Sequence, residues 1–269
     1  MRLASIFTYP VKGSHRVAQR DARAEPWGLA GDRRWMLVDP DGIGVTLRET
    51  THLVRLNARV RPGGLELRAD GYEPLDVAEP GPETAPVGVR TFSSRKGTVD
   101  ARPAGAEADA WLSKLAGLPV RLVWLHDPTS ERAGRFAPTA DVSFADGYPL
   151  LLANAASHDA VNDWLLEAQE EPVEITRFRP NIVITGARPW AEDDWPGRRL
   201  RIGGAVFRAG PLSDRCVVTT IDPETGAKGR QPLKILGRYR NIDQGLMFGL
   251  NLRVDEPGPI AVGDAVEVL

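Results

Sequence analysis

Arg34-Trp35-Met36-Leu37-Val38-Asp39-Pro40-Asp41-Gly42-Ile43-Gly44-Val45-Thr46-Leu47 reads as two short strands joined by a turn. Proline presets φ at the first corner of such a turn and glycine accepts φ > 0 at its end. The apolar and β-branched flanks suit a pleated, buried surface. Outward from this hairpin the same pattern recurs. Residues 3–9 alternate roughly and end at Pro10, and residues 52–60, 65–68, 86–92 and 120–125 read as further strands between Gly- and Pro-bearing turns. Their spacing is that of a barrel or sandwich. The last third adds strand patterns at 181–185, 200–208, 217–221 and 258–269, with Gly203-Gly204 read as a hairpin turn. The Pro- and Gly-rich residues 80–88 read as a long loop.

Two segments predict helix. Residues 106–116 place Trp111, Leu112 and Leu115 on one face and stop at Gly117; residues 155–169 do the same with Val161, Trp164, Leu165 and Ala168, behind Asn154 as N-cap. The fold class is therefore mainly β with a few helices (α+β).

The 269 residues, 42% hydrophobic and 26% charged, suit one large or two modest globular domains. No run approaches the ~18 apolar residues of a membrane span. Met1-Arg2-Leu3-Ala4-Ser5-Ile6-Phe7 leads into a strand pattern and not a cleavable signal, so a cytoplasmic location is expected. The net charge of −2 hides an uneven distribution. Residues 1–68 carry 12 Lys/Arg against 7 Asp/Glu, residues 177–240 carry 13 against 6, and the rest 9 against 23. Two basic segments far apart in sequence can converge on an anionic ligand. No block of like charge resembles a nucleic-acid-binding tail.

The single cysteine, Cys216, lies in Ser213-Asp214-Arg215-Cys216 and cannot form an internal disulfide. Two uses stand for it: an inert packed thiol, or a thiolate that attacks or ligates. The usual templates are absent. His15, His52, His126 and His158 are scattered without metal-binding spacing, and no GxSxG, GxxxxGK[ST] or GxGxxG motif occurs.

Several phrases together carry a resemblance. Tyr9-Pro10-Val11-Lys12, Gly31-Asp32-Arg33-Arg34-Trp35, Ser143-Phe144-Ala145-Asp146-Gly147-Tyr148-Pro149 and Leu152-Ala153-Asn154-Ala155-Ala156-Ser157 are followed by Arg177-Phe178-Arg179-Pro180-Asn181-Ile182-Val183 and Glu192-Asp193-Asp194-Trp195. Asp214-Arg215-Cys216, Thr219-Thr220-Ile221-Asp222-Pro223-Glu224-Thr225-Gly226 and Phe248-Gly249-Leu250-Asn251 complete the set. Over nearly its whole length the chain resembles MOSC-domain proteins with an N-terminal β-barrel domain, similar to the mitochondrial amidoxime-reducing components and their bacterial relatives. That resemblance implies an N-terminal MOSC-type β-barrel domain over residues 1–122, a MOSC β-barrel domain over 123–269, and a cleft between them for the molybdenum cofactor, a pterin dithiolene bearing a phosphate.

By the same resemblance Cys216 is the catalytic residue and metal ligand, and Lys12, Arg33, Arg179 and Arg215 hold the anionic cofactor. Gly13, Ser14, Asp146, Gly147, Tyr148, Asn181 and Asp214 are the remaining cofactor-binding candidates. A metal binds thiolate as a soft, deprotonated ligand, and guanidinium groups suit phosphate oxygens. The implied activity is reduction of a small N-hydroxylated substrate, of amidoxime or hydroxylamine type, with no nucleic-acid or membrane partner. With no cysteines for an iron–sulfur cluster and no ferredoxin domain after Leu269, a separate electron-donor protein is expected.

The chain departs from the family pattern where relatives have Ser and it has Gly13, which removes a hydroxyl or passes its contact to Ser14. Asp214 stands where relatives commonly carry Ser, and Ser213 where they often carry a second cysteine. Two other readings stay open: a carrier of cofactor or sulfur on Cys216 without turnover, and a cofactor-free interaction scaffold. His15, Trp190 and Trp195 read either as a substrate mouth or, for both tryptophans, as packing.

Overall fold

The computed structural model describes residues 1–91, 98–129 and 142–269. Among these the strands form four sheets, and the chain is mostly β with three α-helices. The largest sheet has nine strands. Its main path runs Val17–Gln19, Arg2–Thr8, Ile182–Thr185, Leu150–Asn154, Gly245–Glu256, Ala205–Asp214, Arg199–Ile202 and Val266–Val268, with Asn241–Ile242 paired on Gly245–Glu256. The first strand of the chain is thus built into a sheet of carboxyl-terminal strands, with Ile6 opposite Ile182. Leu150–Asn154 and Ile182–Thr185 run parallel, and the chain between them includes a helix.

The opening hairpin is present as Trp35–Val38 and Gly44–Val45, closed by the Gly42 N–H donating to the Asp39 carbonyl at 3.0 Å. It belongs to a five-stranded sheet with Val87–Val89, Val99–Pro103 and Arg121–Trp124. Two three-stranded sheets complete the set: Asn57–Arg61, Gly64–Arg68 and Leu75–Ala78, and Gly258–Ala261, Asp21–Glu25 and Gly28–Leu29. Leu37, Leu47, Leu53, Leu65, Leu67, Leu112 and Leu122 share one core, and Leu3, Ile6, Leu150, Ile182, Phe207 and Leu250 another.

The two expected helices form. α1 spans Ala106–Ala116 and ends on Gly117 in the left-handed region at φ 71°; α2 spans Ala155–Glu167, with the Asn154 side chain accepting from the Ala156 N–H. A third, α3 (Leu233–Tyr239), buries Ile235 and Leu236. Among the described residues no helix is long and apolar enough to cross a membrane.

Three strand expectations are corrected. Residues 52–60 begin as the 3-10 helix Thr51–Arg55, and only Asn57–Arg61 is strand. Residues 217–221 form the 3-10 helix Val217–Thr220, because the Thr219 and Thr220 hydroxyls donate to the Cys216 and Val217 carbonyls at 2.9 and 2.8 Å and turn the backbone back on itself. Residues 258–269 are not one strand but Gly258–Ala261 and Val266–Val268, which join different sheets, whereas the hairpin turn read at Gly203-Gly204 is present between Arg199–Ile202 and Ala205–Asp214. Of the strand expected over 86–92, Val87–Val89 is observed, and Phe92 lies outside the described residues.

The ladder between Ala205–Asp214 and Gly245–Glu256 shifts register between Ala209 and Leu212 and again between Leu212 and Asp214. Such irregularities re-aim the end of a strand. Here the end they re-aim is Asp214-Arg215-Cys216.

Candidate functional site

The backbone that leaves Arg2–Thr8 turns at Pro10 and delivers Lys12 beside the Trp35 strand, the Lys12 N–H donating to the Trp35 carbonyl at 2.8 Å. Gly13 follows at φ +88°, the left-handed region that glycine occupies without a Cβ penalty. The Lys12 side chain is buried, donates to the Phe144 carbonyl at 2.7 Å and pairs with Asp146. Burial pulls its ammonium below the usual lysine range, and Asp146 opposes that shift. Burial also pushes the Asp146 carboxyl upward, but Lys12 outweighs it with help from Arg48, and Asp146 ends below the ordinary carboxylate range.

Tyr9, fully buried, organises two more cations. Arg33 lies over its ring at 4.8 Å and Arg179 at 4.0 Å. Arg33 pairs with buried Asp32 and reaches the Asn181 side-chain oxygen at 3.2 Å. Asp32 in turn accepts from the Tyr9 N–H at 2.7 Å and the Asn181 amide at 3.2 Å. Burial pushes the Asp32 carboxyl up against the pull of Arg33. Arg179 donates to the Ser14 carbonyl at 3.0 Å, and burial lowers its pKa to about 10. Both arginines hold positive φ, 48° and 52°, so their side chains leave tight turns.

On the far wall Arg215 donates to the Ser213 hydroxyl at 2.6 Å and the Phe178 carbonyl at 2.7 Å. Its Nε is buried and has no hydrogen-bond partner among the described residues. Burial lowers the pKa of this guanidinium as well. Cys216 beside it is exposed, and its Sγ lies 3.1 Å from Arg48 Nη2. Asp214 turns one oxygen to the Leu246 N–H at 2.9 Å. Tyr148 covers Gly210 so closely that a Cβ there would sit 2.6 Å from its ring.

These groups surround one cleft of about 430 Å³. Lys12, Gly13, Arg33, Asp146, Gly147, Tyr148, Arg179, Asn181, Asp214, Arg215 and Cys216 all line it. Ser14 does not: it is fully buried and its hydroxyl donates to the His15 carbonyl at 3.2 Å. His15, Trp190 and Trp195 are also absent from the lining. His15 meets Glu224 at 3.1 Å, Trp190 stacks on Trp164, and Trp195 packs in the core. Among the charged lining residues, Arg48 is one that the motifs did not single out; the Lys/Arg excess of residues 1–68 was the available signal.

Five cations, Lys12, Arg33, Arg48, Arg179 and Arg215, face Asp32, Asp146 and Asp214, a surplus of two positive charges. With the orphaned Arg215 Nε, this donor set fits a multiply charged anion. Among the described residues no group of three or more His, Cys, Asp or Glu could hold a metal ion. A metal bound at Cys216 therefore needs ligands supplied by its own cofactor.

The MOSC domain model matches residues 139–267, and that of the MOSC N-terminal beta barrel domain matches residues 1–119. Mitochondrial amidoxime-reducing component 1 of Homo sapiens is 30% identical, over 99% of this chain and 82% of its own length. The component 2 protein of Homo sapiens is 31% identical over 98% and 82%, and component 1 of Xenopus laevis 29% over 98% and 81%.

Proposed function

The chain belongs to the MOSC-domain family, and from that premise we propose that it is a molybdenum-cofactor-dependent reductase of N-hydroxylated substrates, amidoximes or hydroxylamines, fed by a separate electron-donor protein. The observation that supports this best is the cleft lined by an exposed cysteine and five cations, one of which keeps an unpartnered buried N–H. Lys12, Arg33, Arg179 and Arg215 would hold the phosphate and pterin, with Asn181 and the 146–148 turn shaping the floor and Cys216 supplying a thiolate ligand. When bound, the cofactor supplies a two-electron centre with affinity for oxygen.

The chain's own contribution is to bind, orient and exclude water. Tyr9 and Asp32 fix the two arginines, and the apolar Leu47, Leu151, Phe178 and Leu212 dry the walls. The net reaction breaks the substrate N–O bond. An amidoxime, two electrons and two protons give an amidine and water. The electrons come from the donor protein and the protons from solvent at the open mouth beside Cys216.

Molybdenum and pterin are measured in wild type and Cys216→Ala made in a cofactor-competent host, alongside benzamidoxime reduction with an artificial donor. Wild type is expected to hold metal and reduce, and the variant to lose both. Metal absent from both proteins overturns the ligand assignment. Metal without reduction of any N-hydroxylated compound favours the carrier reading, to which an exposed Sγ is also suited. A cytoplasmic location stays part of this proposal, while the animal relatives are named mitochondrial; fractionation of cells producing the tagged chain tests it.

A further inference from the structure

Asp214 is the last residue of the strand Ala205–Asp214, lines the cleft and stands two residues before Cys216. Its Oδ1 accepts the Leu246 N–H at 2.9 Å. Its second oxygen has no hydrogen-bond or ion-pair partner among the described residues. The adjacent Arg215 feels the Asp214 charge but makes no ion pair with it, spending its two terminal nitrogens on Ser213 and Phe178. Arg48, the cation next to Cys216, is engaged by the Cys216 sulfur and lies 4.0 Å from Asp146. The nearby Asn251 amide is spent on the Pro211 and Leu212 carbonyls. The cleft therefore carries, besides its five cations, an exposed carboxylate fixed two residues from Cys216.

A side chain held by one oxygen presents the other in a defined direction, with less rotamer entropy left to lose on binding. A carboxylate accepts hydrogen bonds and donates none. The group it would accept from sits next to the reacting N–OH. In N-hydroxyguanidines and amidoximes that neighbour is an NH2 donor, and the guanidines also carry a positive charge near neutral pH. In hydroxamic acids it is a carbonyl oxygen, which a carboxylate repels.

Resting on the reductase reading above, we propose that Asp214 is the specificity-determining residue of this cleft: its unpartnered oxygen accepts an N–H beside the substrate N–OH and selects cationic N-hydroxyguanidines over neutral hydroxamic acids. Recognition is by hydrogen bonding and charge alone and requires no covalent bond to Asp214.

The test compares dissociation constants of phenyl-N-hydroxyguanidine and benzhydroxamic acid by calorimetry on the cofactor-loaded protein, with molybdenum measured in each sample. Wild type is expected to bind the guanidine more tightly, and in Asp214→Asn the ratio of the two constants collapses by about tenfold or more, the loss typical of a charged hydrogen bond. The asparagine amide keeps an oxygen for the Leu246 N–H, and thermal unfolding checks that the strand end is intact. Equal affinities in wild type overturn the assignment, as does a parallel loss for both ligands in the variant. Loss of molybdenum from Asp214→Asn overturns it too, because Asp214 would then hold the cofactor. Selective binding without reduction of either compound removes the reductase reading and leaves the role of Asp214; reduction of both without selectivity removes that role alone.

Discussion

Arg48 Nη2 stands 3.1 Å from Cys216 Sγ although the two residues are 168 apart in sequence. The contact joins the end of the amino-terminal hairpin to the end of the re-aimed strand, so both halves of the chain define the position of the sulfur. On the ligand role proposed for Cys216, a donor to its sulfur orients that ligand, and removing such an outer partner typically costs about 10–100-fold in metal affinity. Arg48→Leu is expected to retain metal that much less well on dialysis against a chelator, as followed by elemental analysis. Retention equal to wild type would show that the contact does not support the sulfur.

Lys12 joins the first turn of the chain to the 144–146 segment through Phe144 and Asp146. Lys12→Met keeps the length of the stem and takes away the shared donor. The Asp146 side chain is 41% exposed, so water recovers part of the loss. A destabilisation of about 1–3 kcal/mol in urea is expected, the range for removing one partner of a buried polar contact. On the proposed function, the same variant should bind less cofactor, since one of the five cleft cations is gone.

Much of this architecture was legible in the sequence because regular periodicity survives burial. α1 has the expected bounds since Leu112 and Leu115 repeat at helical spacing before Gly117. α3 was not legible: seven residues interrupted by Gly237 and preceded by Pro232 give too short a repeat. The long strand Gly245–Glu256 was hidden by Gly245 and by Gly249 at φ +80°. Val217-Val218-Thr219-Thr220 has strand propensity, but its threonine hydroxyls find local carbonyls and the segment coils. In the cleft, cations within motifs were legible one by one. Arg48 was not, because an arginine at the end of a hairpin arm looks like solvated surface until the fold brings Cys216 to it. Ser14 lies outside the cleft lining for the reverse reason: next to Gly13 in sequence, it turns its hydroxyl to the backbone.

Gly13 carries a sharper steric expectation. At φ +88° an added Cβ would lie 3.2 Å from Leu53 Cδ1, within a core whose leucines are fully buried. Gly13→Ala should cost about 1–2 kcal/mol for the left-handed backbone alone, with repacking of Leu53 in addition. Urea unfolding of the variant beside wild type measures it, and an unchanged midpoint would mean that the turn relaxes freely.

His158, on α2, sets a pH dependence remote from the cleft. Its Nε2 meets the Val173 carbonyl at 2.7 Å, an acceptor that requires the proton on that nitrogen, and Asn162 donates to the same carbonyl at 3.1 Å. Burial holds the imidazole below its ordinary value, opposed by the Val173 carbonyl and by Asp159 and Glu174. The folded protein thus keeps His158 neutral at a pH where the unfolded chain has begun to bind a proton. Between the lowered folded value and the ordinary value near 6.5, the unfolded state binds more protons, so stability rises with pH there and is lost as pH falls through that window. His158→Gln removes the titrating group and retains a donor for Val173. Melting temperatures from about pH 7.5 to about 5 should fall more steeply in wild type than in His158→Gln, the curves diverging below about 6.5; parallel curves across that range would rule His158 out as the group responsible.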